Sequence, residues 1–337
     1  MNLNNVTVIG AGAWGTALAN HTAVNGKDTL IWAFEKDVVE SINSRHENSV
    51  YLKGVALHDS IKATGDLEEA CGHADALIFA VPSHVMEGVV EKMIPFIGDK
   101  SVIISVTKGI ENKKLRLPSQ IFEELLPASV SKRLVCFSGP SFAAEVVKGL
   151  PTAITAASAD PDSARFVQNL MSIGKMRVYT NDDVIGVELG GVVKNVVAIA
   201  AGIADGLELG HNTRAAIITR GLEETIRLGS SMGAREKTFR GLSGIGDLVL
   251  TASGDLSRNR TVGKRLGKGE KIADIVASMK MVAEGILTSR SIYLLSKKLD
   301  VEMPICNEVY NVCHEGKDPV KAVEDLLTRG LKDEFNG

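Results

Sequence analysis

The sequence is poor in cysteine. Cys71, Cys136, Cys306 and Cys313 are all it has in 337 residues. No two of them form a CxxC pair and none has a histidine at metal-ligand spacing, so no metal site is expected. In a chain this long a disulfide framework is not expected either. Reduced thiols, each a small buried hydrophobe, and a cytosolic home are the expectation. An excess of positive charge is also lacking. With 38 Lys and Arg against 41 Asp and Glu the net charge is -3. No overall basic field draws nucleic acid or an anionic membrane, so an anionic ligand must be caught by local charges. The segment Met1 to Asn5 carries no cationic n-region, and the apolar run from Val6 is short and broken by glycines, unlike a signal core. The longest apolar stretch, Val187 to Ala204, contains Glu188, Lys194 and Asn195. These are costly at a bilayer centre, so the stretch reads as a buried helix and no membrane insertion is expected. Internal repeats and low-complexity segments are absent.

What is present is enough apolar material for one or two packed cores. Hydrophobic residues make up 45% and charged residues an ordinary 23%. The first half alternates short β-branched runs with helical patterns. Val6 to Ile9, Thr29 to Trp32, Ala76 to Val81, Ser101 to Val106 and Leu134 to Phe137 are apolar nearly throughout. That is how strands covered on both faces read. Spaced by helix-length segments such as Ala17 to Val24, they imply βαβ units and a mostly parallel sheet. Two further runs follow, Thr152 to Ala156 and Met176 to Tyr179. From Val184 onward strand alternation stops and helical periodicity takes over. The fold class is therefore α/β: a mostly parallel sheet domain over 1–183, then an all-helical domain over 184–337. The polar tail from Lys332 to Gly337 is expected to fray.

Gly10-Ala11-Gly12-Ala13-Trp14-Gly15 is a GxGxxG motif with a strand before it and a helical pattern after it. In that setting Gly10 allows a tight turn, Gly12 lets backbone approach a pyrophosphate, and Gly15 lets helix and strand pack closely. The helix that follows aims free N–H groups at phosphates. The end of the second strand, Trp32-Ala33-Phe34-Glu35-Lys36-Asp37, carries both signs of charge and leaves NAD and NADP both open. Val81-Pro82-Ser83 either lines the crevice or is a plain proline turn.

Four polar positions stand out. Lys108 follows a strand, where either a ligand contact or a solvated loop lysine fits. Lys194 sits in a helix that is apolar on almost every side, so it either snorkels or faces a ligand cavity; partial desolvation would suit it to proton transfer. Glu188 is six residues before it and off its face, so the two are no simple helical ion pair. Asp247, among glycines and apolar residues, either caps a helix or orients a lysine, and composition favours the cap. Ser257-Arg258-Asn259-Arg260 offers a guanidinium and side-chain donors suited to a phosphate, or else a solvated basic turn.

Taken in order, Gly10 to Ala17, Thr107-Lys108-Gly109, Ser138-Gly139-Pro140-Ser141-Phe142-Ala143, Leu150-Pro151-Thr152-Ala153, Lys194-Asn195, Gly246-Asp247-Leu248 and Ser257 to Arg260 resemble the NAD(P)-dependent glycerol-3-phosphate dehydrogenase family in its bacterial form. The resemblance covers nearly the whole chain. It implies a Rossmann-type domain and a helical substrate domain with the site between them. It makes Lys194 the proton donor or acceptor at the substrate C2 oxygen, with Lys108 binding substrate and Asp247 supporting the lysines. It puts Arg258 and Asn259 on the phosphate, with Gly139, Ser141 and Ser257 lining the substrate site. Cofactor, NAD or NADP without a metal, would meet Gly10, Gly12, Ala13, Trp14, Gly15, Phe34, Lys108, Ala143, Arg258, Val282 and Glu284. Many relatives carry a cation where this chain has Phe34, a departure for which Lys36 is the available substitute. The resemblance also implies a cytoplasmic enzyme of phospholipid precursor synthesis and allows a homodimer.

The expected chemistry is hydride addition to C2 of dihydroxyacetone phosphate with a proton from Lys194, the phosphate held by Arg258 and Asn259. Two alternatives stand beside it. One is a two-domain reductase of 3-hydroxy acids, which would grip a carboxylate instead of a phosphate. The other is a non-catalytic dinucleotide sensor, which has no need of a proton donor beside an anion grip.

Overall fold

The structure is a computed structural model and describes residues 4–279, 283–331 and 333–334. Eight strands form one sheet: β1 (Asn5–Ile9), β2 (Asp28–Trp32), β3 (Lys62–Thr64), β4 (Ala76–Phe79), β5 (Val102–Ser105), β6 (Val135–Ser138), β7 (Thr152–Ala157) and β8 (Met176–Asn181). Their spatial order is β3-β2-β1-β4-β5-β6-β7-β8, parallel throughout except for the antiparallel β6–β7 pair. Seven of these strands coincide with the apolar runs. Consecutive residues enter opposite cores: Val8, Ile78 and Ile104 pack on one side of the sheet, and Ile9, Leu77, Phe79 and Ile103 on the other. Both faces are covered, which is why the runs lack polar alternation. β3 is the strand that the sequence did not announce. It is a three-residue edge, Lys-Ala-Thr, with an exposed lysine, and such edges are kept short and charged.

The sheet positions the site through its register. Ile9 pairs with Trp32 on one side and Phe79 on the other, so β1, β2 and β4 end together. The chain order reverses on either side of β1, and ligands of open α/β sheets bind at such a switch point. Gly10 leaves β1 there at φ 112, and a Cβ on it would meet the Ala80 carbonyl oxygen at 2.7 Å. The next helix, Ala13–Val24, begins inside the glycine motif, four residues earlier than its hydrophobic pattern indicates. A Cβ on Gly15 would lie 2.1 Å from the Gly10 carbonyl oxygen, so only glycine lets the first turn sit this close.

Beyond Asn181 the described residues contain helices and no strand. The Val184–Gly206 helix runs through the middle of this half and is buried on nearly all sides. It is long and apolar enough to cross a membrane by composition, yet 83% of its most apolar window is buried inside the protein. That agrees with a core helix. Asp183 caps it, accepting from Gly186 N at 2.9 Å. Glycine faces lock this central helix to the Arg258–Gly267 helix. A Cβ on Gly202 would lie 2.1 Å from the Arg260 carbonyl oxygen, and one on Gly263 would lie 2.0 Å from that of Ile199. The two backbones touch, so side chains projecting from one helix are fixed relative to those of the other. Of the polar tail expected to fray, only Asp333 and Glu334 are described, and both are exposed; Lys332 and residues 335–337 lie outside the described residues.

Candidate active site

A cleft of about 1540 Å³ opens where the sheet meets the helical half. From the sheet side it is lined by the Gly10–Gly15 loop after β1, Phe34 and Glu35 after β2, Ala80 to Pro82 after β4, and Val106 to Lys108 after β5. From the helical side come Lys194, Asn195, Asp247, Thr251, Ser257, Arg258, Asn259 and Glu284. Residues more than a hundred positions apart thus share one cavity, and they include most of those that the sequence singled out.

The glycine loop has the shape that a dinucleotide needs. A Cβ on Gly12 would meet nothing within 4 Å, so this backbone faces open space. The first-turn N–H groups of the Ala13–Val24 helix have no intrahelical acceptors and a positive dipole end behind them. The buried Trp14 indole nitrogen has no hydrogen-bond partner among the described residues. Backbone N–H groups bared at a helix start fit a pyrophosphate, and the fit rests on backbone that only glycines leave bare.

At the other end two lysines share one carboxylate. Lys194 Nζ donates to Asp247 Oδ1 at 2.6 Å and to Thr251 Oγ1 at 2.9 Å. Lys108 Nζ donates to Asp247 Oδ2 at 2.7 Å and to the Gly139 carbonyl at 3.3 Å. Asp247 is 1% exposed. Its carboxylate binds the lysines and no backbone N–H, so the cap that composition favoured is not what forms. Lys108, for which a solvated loop was the competing reading, is half-buried and tied down. Thr251 is held in turn by donating to the Asp247 carbonyl at 2.7 Å, one helical turn back. An ammonium has three protons; two of those on Lys194 are engaged within the protein and the third is left for the cleft. Burial pushes the Lys194 ammonium down to about 8, with nearby Lys108 adding to the fall and Asp247 opposing it. A buried lysine so poised is an effective proton donor near neutral pH.

The basic segment divides its duties. Ser257 is buried and caps the Arg258–Gly267 helix by accepting from Arg260 N at 3.2 Å. Arg260 turns away to Asp205 and Asp255. Arg258 lines the cleft and makes no hydrogen bond among the described residues; the surrounding protein lowers its pKa, and Glu284 opposes that. Asn259 donates to Asn195 Oδ1 at 2.9 Å and accepts from Gly285 N at 3.0 Å, leaving one amide proton. Glu284 in turn takes Ser83 Oγ at 3.4 Å, and burial raises its pKa.

Among the remaining expected contacts, Ser141 and Ala143 line the cleft. Gly139 does not; it stands behind it, its carbonyl taken by Lys108 and by Ser141 Oγ at 3.0 Å. Phe34 lines it and is 81% exposed. Lys36 is exposed at the start of the next helix and is not among the lining residues. Val282 lies outside the described residues. Thr251 and Tyr51 were not singled out from sequence, and Asn195, Ser83 and Glu35 were legible there only as members of their motifs, without their partners. Thr251 was findable, because it follows Asp247 by one helical turn. The others meet their partners only through the fold.

Comparison with known proteins follows the same division. A family model described as the NAD-dependent glycerol-3-phosphate dehydrogenase N-terminus matches residues 5–164, and one described as its C-terminus matches 183–324. A glycerol-3-phosphate dehydrogenase [NAD(P)+] of Geobacter sulfurreducens is 51% identical over 329 residues, 98% of each chain. One of Syntrophobacter fumaroxidans is 49% identical over 330 residues, 98% of this chain and 97% of the other. The crystal structure of glycerol-3-phosphate dehydrogenase from Coxiella burnetii superposes with a TM-score of 0.92 at 38% identity, covering 96% of this chain and 98% of that one.

Proposed function

The chain belongs to the NAD(P)-dependent glycerol-3-phosphate dehydrogenase family, and from that premise we propose that its cleft reduces dihydroxyacetone phosphate to glycerol 3-phosphate in the sense needed for phospholipid precursors. The observation that carries the reading is the Lys108–Asp247–Lys194 cluster in one cleft with Arg258, which has no hydrogen bond among the described residues, and the bare glycine loop. A sensor has no use for the first, and a 3-hydroxy acid reductase would need a carboxylate grip in place of a phosphate one.

The Gly10–Gly15 loop would hold a nicotinamide dinucleotide, whose chemistry when bound would be to supply hydride for the substrate carbonyl carbon. Lys194 gives its free proton to the carbonyl oxygen, so C=O becomes CH–OH and the ammonium becomes an amine. Asp247 and Thr251 hold that nitrogen in place through the transfer. Lys108, anchored on the other Asp247 oxygen, adds positive charge where negative charge develops. Arg258 and the spare Asn259 proton take the phosphate, which fixes the carbonyl at a distance from its anchor. Residues 1–183 then serve the dinucleotide, and 184–337 supply the acid and the phosphate grip. Four buried free thiols suit a cytoplasmic home, and a homodimer is the assembly proposed.

The test is an assay of reduced-cofactor consumption with dihydroxyacetone phosphate, run beside a keto acid lacking phosphate. Consumption with the first and none with the second is expected; the reverse would overturn the reading. In Lys194→Ala the turnover should fall by roughly 10²- to 10⁴-fold, the usual worth of a positioned acid, with cofactor affinity changed little. Near-normal turnover would sink the role given to Lys194.

A further inference from the structure

The relatives are named for both NAD and NADP, and the second strand's end carries both signs of charge in this sequence. The fold sorts those charges. After β2 the residues that line the cleft are Phe34 and Glu35. Lys36 and Asp37 begin the next helix, Lys36–Arg45, and neither lines the cleft. Arg45, at the far end of that helix, is turned to Ser41 Oγ at 3.1 Å. The connection from β2 to β3 therefore lines the cleft with one carboxylate and two aromatic rings, Phe34 and Tyr51, and no cation of this connection is among the described lining residues.

That carboxylate is held. Tyr51, which also lines the cleft, donates its hydroxyl to Glu35 Oε1 at 2.7 Å. Burial, and next the carboxylate itself, raise the Tyr51 phenol to about 12, so it remains a donor across the working range. One Glu35 oxygen is thereby fixed and the other is left to accept. An acid at this strand end accepts from the ribose hydroxyls of an unphosphorylated dinucleotide, whereas a 2′-phosphate needs a cation there. Another cation that lines the cleft is Lys92, on the Met86–Met93 helix that follows β4. It is exposed and belongs to a different connection from the one that carries Glu35.

We propose that Glu35, oriented by Tyr51, selects the dinucleotide without a 2′-phosphate, so that this enzyme prefers NADH to NADPH. The proposal deepens the reading of the cleft as a nicotinamide dinucleotide site and rests on it. Its physical content is like-charge exclusion: a phosphate brought beside a fixed carboxylate with no cation to share is penalised, and the hydroxyl that replaces it is hydrogen-bonded.

The chain contains two tryptophans. Trp14 and Trp32 both line the cleft, so their fluorescence reports occupancy without any need for turnover. NADH and NADPH are titrated separately into the full chain, and the dissociation constants are repeated by calorimetry. NADH should bind roughly tenfold tighter or better, the scale of one uncompensated charge contact. Glu35→Gln should narrow that ratio, chiefly by strengthening NADPH binding. Tyr51→Phe should narrow it less, by loosening the carboxylate. Equal affinities, tighter NADPH, or a ratio unmoved by Glu35→Gln would each overturn the selection while leaving the dinucleotide site intact. Failure of both cofactors to bind would instead overturn the site reading and the selection with it.

Discussion

Lys194 is buried beside its partner and opposed by a second cation, and these three influences set its behaviour with pH. Its pKa stands near 8 instead of the ordinary 10.5. The reductive reaction needs the ammonium, so its rate should be level at lower pH and fall as pH rises through about 8. The oxidative reaction needs the amine and should rise through the same region. Initial rates in both directions across that range would show it; parallel profiles would contradict the assignment of the acid. Asp247 raises the Lys194 pKa, so Asp247→Asn should move the fall in the reductive rate to lower pH as well as reducing turnover. An unmoved midpoint in that variant would separate Asp247 from the acid. At this scale much was legible in the sequence. A lysine in a helix with no polar face must have either a partner or a cavity, and Lys194 has both. Asp247 was misweighed towards a cap because a carboxylate near a helix start usually finds backbone N–H groups, whereas here two ammonium groups compete for it and win.

Two helices carry the groups that must act together. Lys194 and Asn195 project from Val184–Gly206, and Arg258 and Asn259 from Arg258–Gly267. Their separation is set by backbone contact at Gly202 and Gly263, where an added methyl would lie 2.1 and 2.0 Å from a carbonyl oxygen. Gly202→Ala or Gly263→Ala must push the helices apart. We expect a loss of about 1–3 kcal/mol in stability, typical of overpacking, together with a raised KM for dihydroxyacetone phosphate and unchanged dinucleotide affinity. Denaturant unfolding and initial rates would measure these, and an unchanged KM would dissociate helix spacing from the phosphate grip. The elements themselves were largely readable, because strands buried on both faces leave apolar runs and the central helix leaves a long one. β3 was not: three residues at an edge give no periodicity to read. The start of the Ala13–Val24 helix was missed by four residues because glycine signals a turn, and here one turn glycine is already helical.

At the scale of the whole molecule, burial acts on two carboxyls that lie away from the reaction, Glu188 and Glu224. Glu188 on the central helix accepts from Ser119 N at 2.9 Å and Ser119 Oγ at 2.5 Å, tying the Pro118–Leu125 helix of the sheet half to the helical half. Glu224 accepts from Ile305 N and Cys306 N at the start of the Pro304–His314 helix. Burial raises both to about 7 from an ordinary 4.5. Between those values the folded protein holds protons that the unfolded chain has lost, so rising pH favours unfolding. The contribution is fully present below about 4.5 and is lost as pH passes through about 7. The unfolding midpoint in denaturant should reflect this as a downward slope over that window. Glu188→Gln should flatten its share of the slope while leaving the Lys194-dependent rate profile in place. A slope identical to the parent's would show that Glu188 does not titrate in the window.

The amino-acid sequence determined the local chemistry by itself: where strands and helices form, where a glycine loop bares its backbone, and that a lysine, an acid and an arginine sit in places that ordinary surfaces do not explain. These follow from hydrophobic period, residue size and the cost of burying charge, all of which act over a few residues. Only the tertiary structure decided which of these meet. It brought Lys108 and Lys194 to opposite oxygens of Asp247, turned Arg260 to Asp205 while leaving Arg258 to line the cleft, and set Glu35 against Tyr51 at the cleft wall. Such pairings depend on sheet order and on how closely helices approach, and these come from packing across the whole chain.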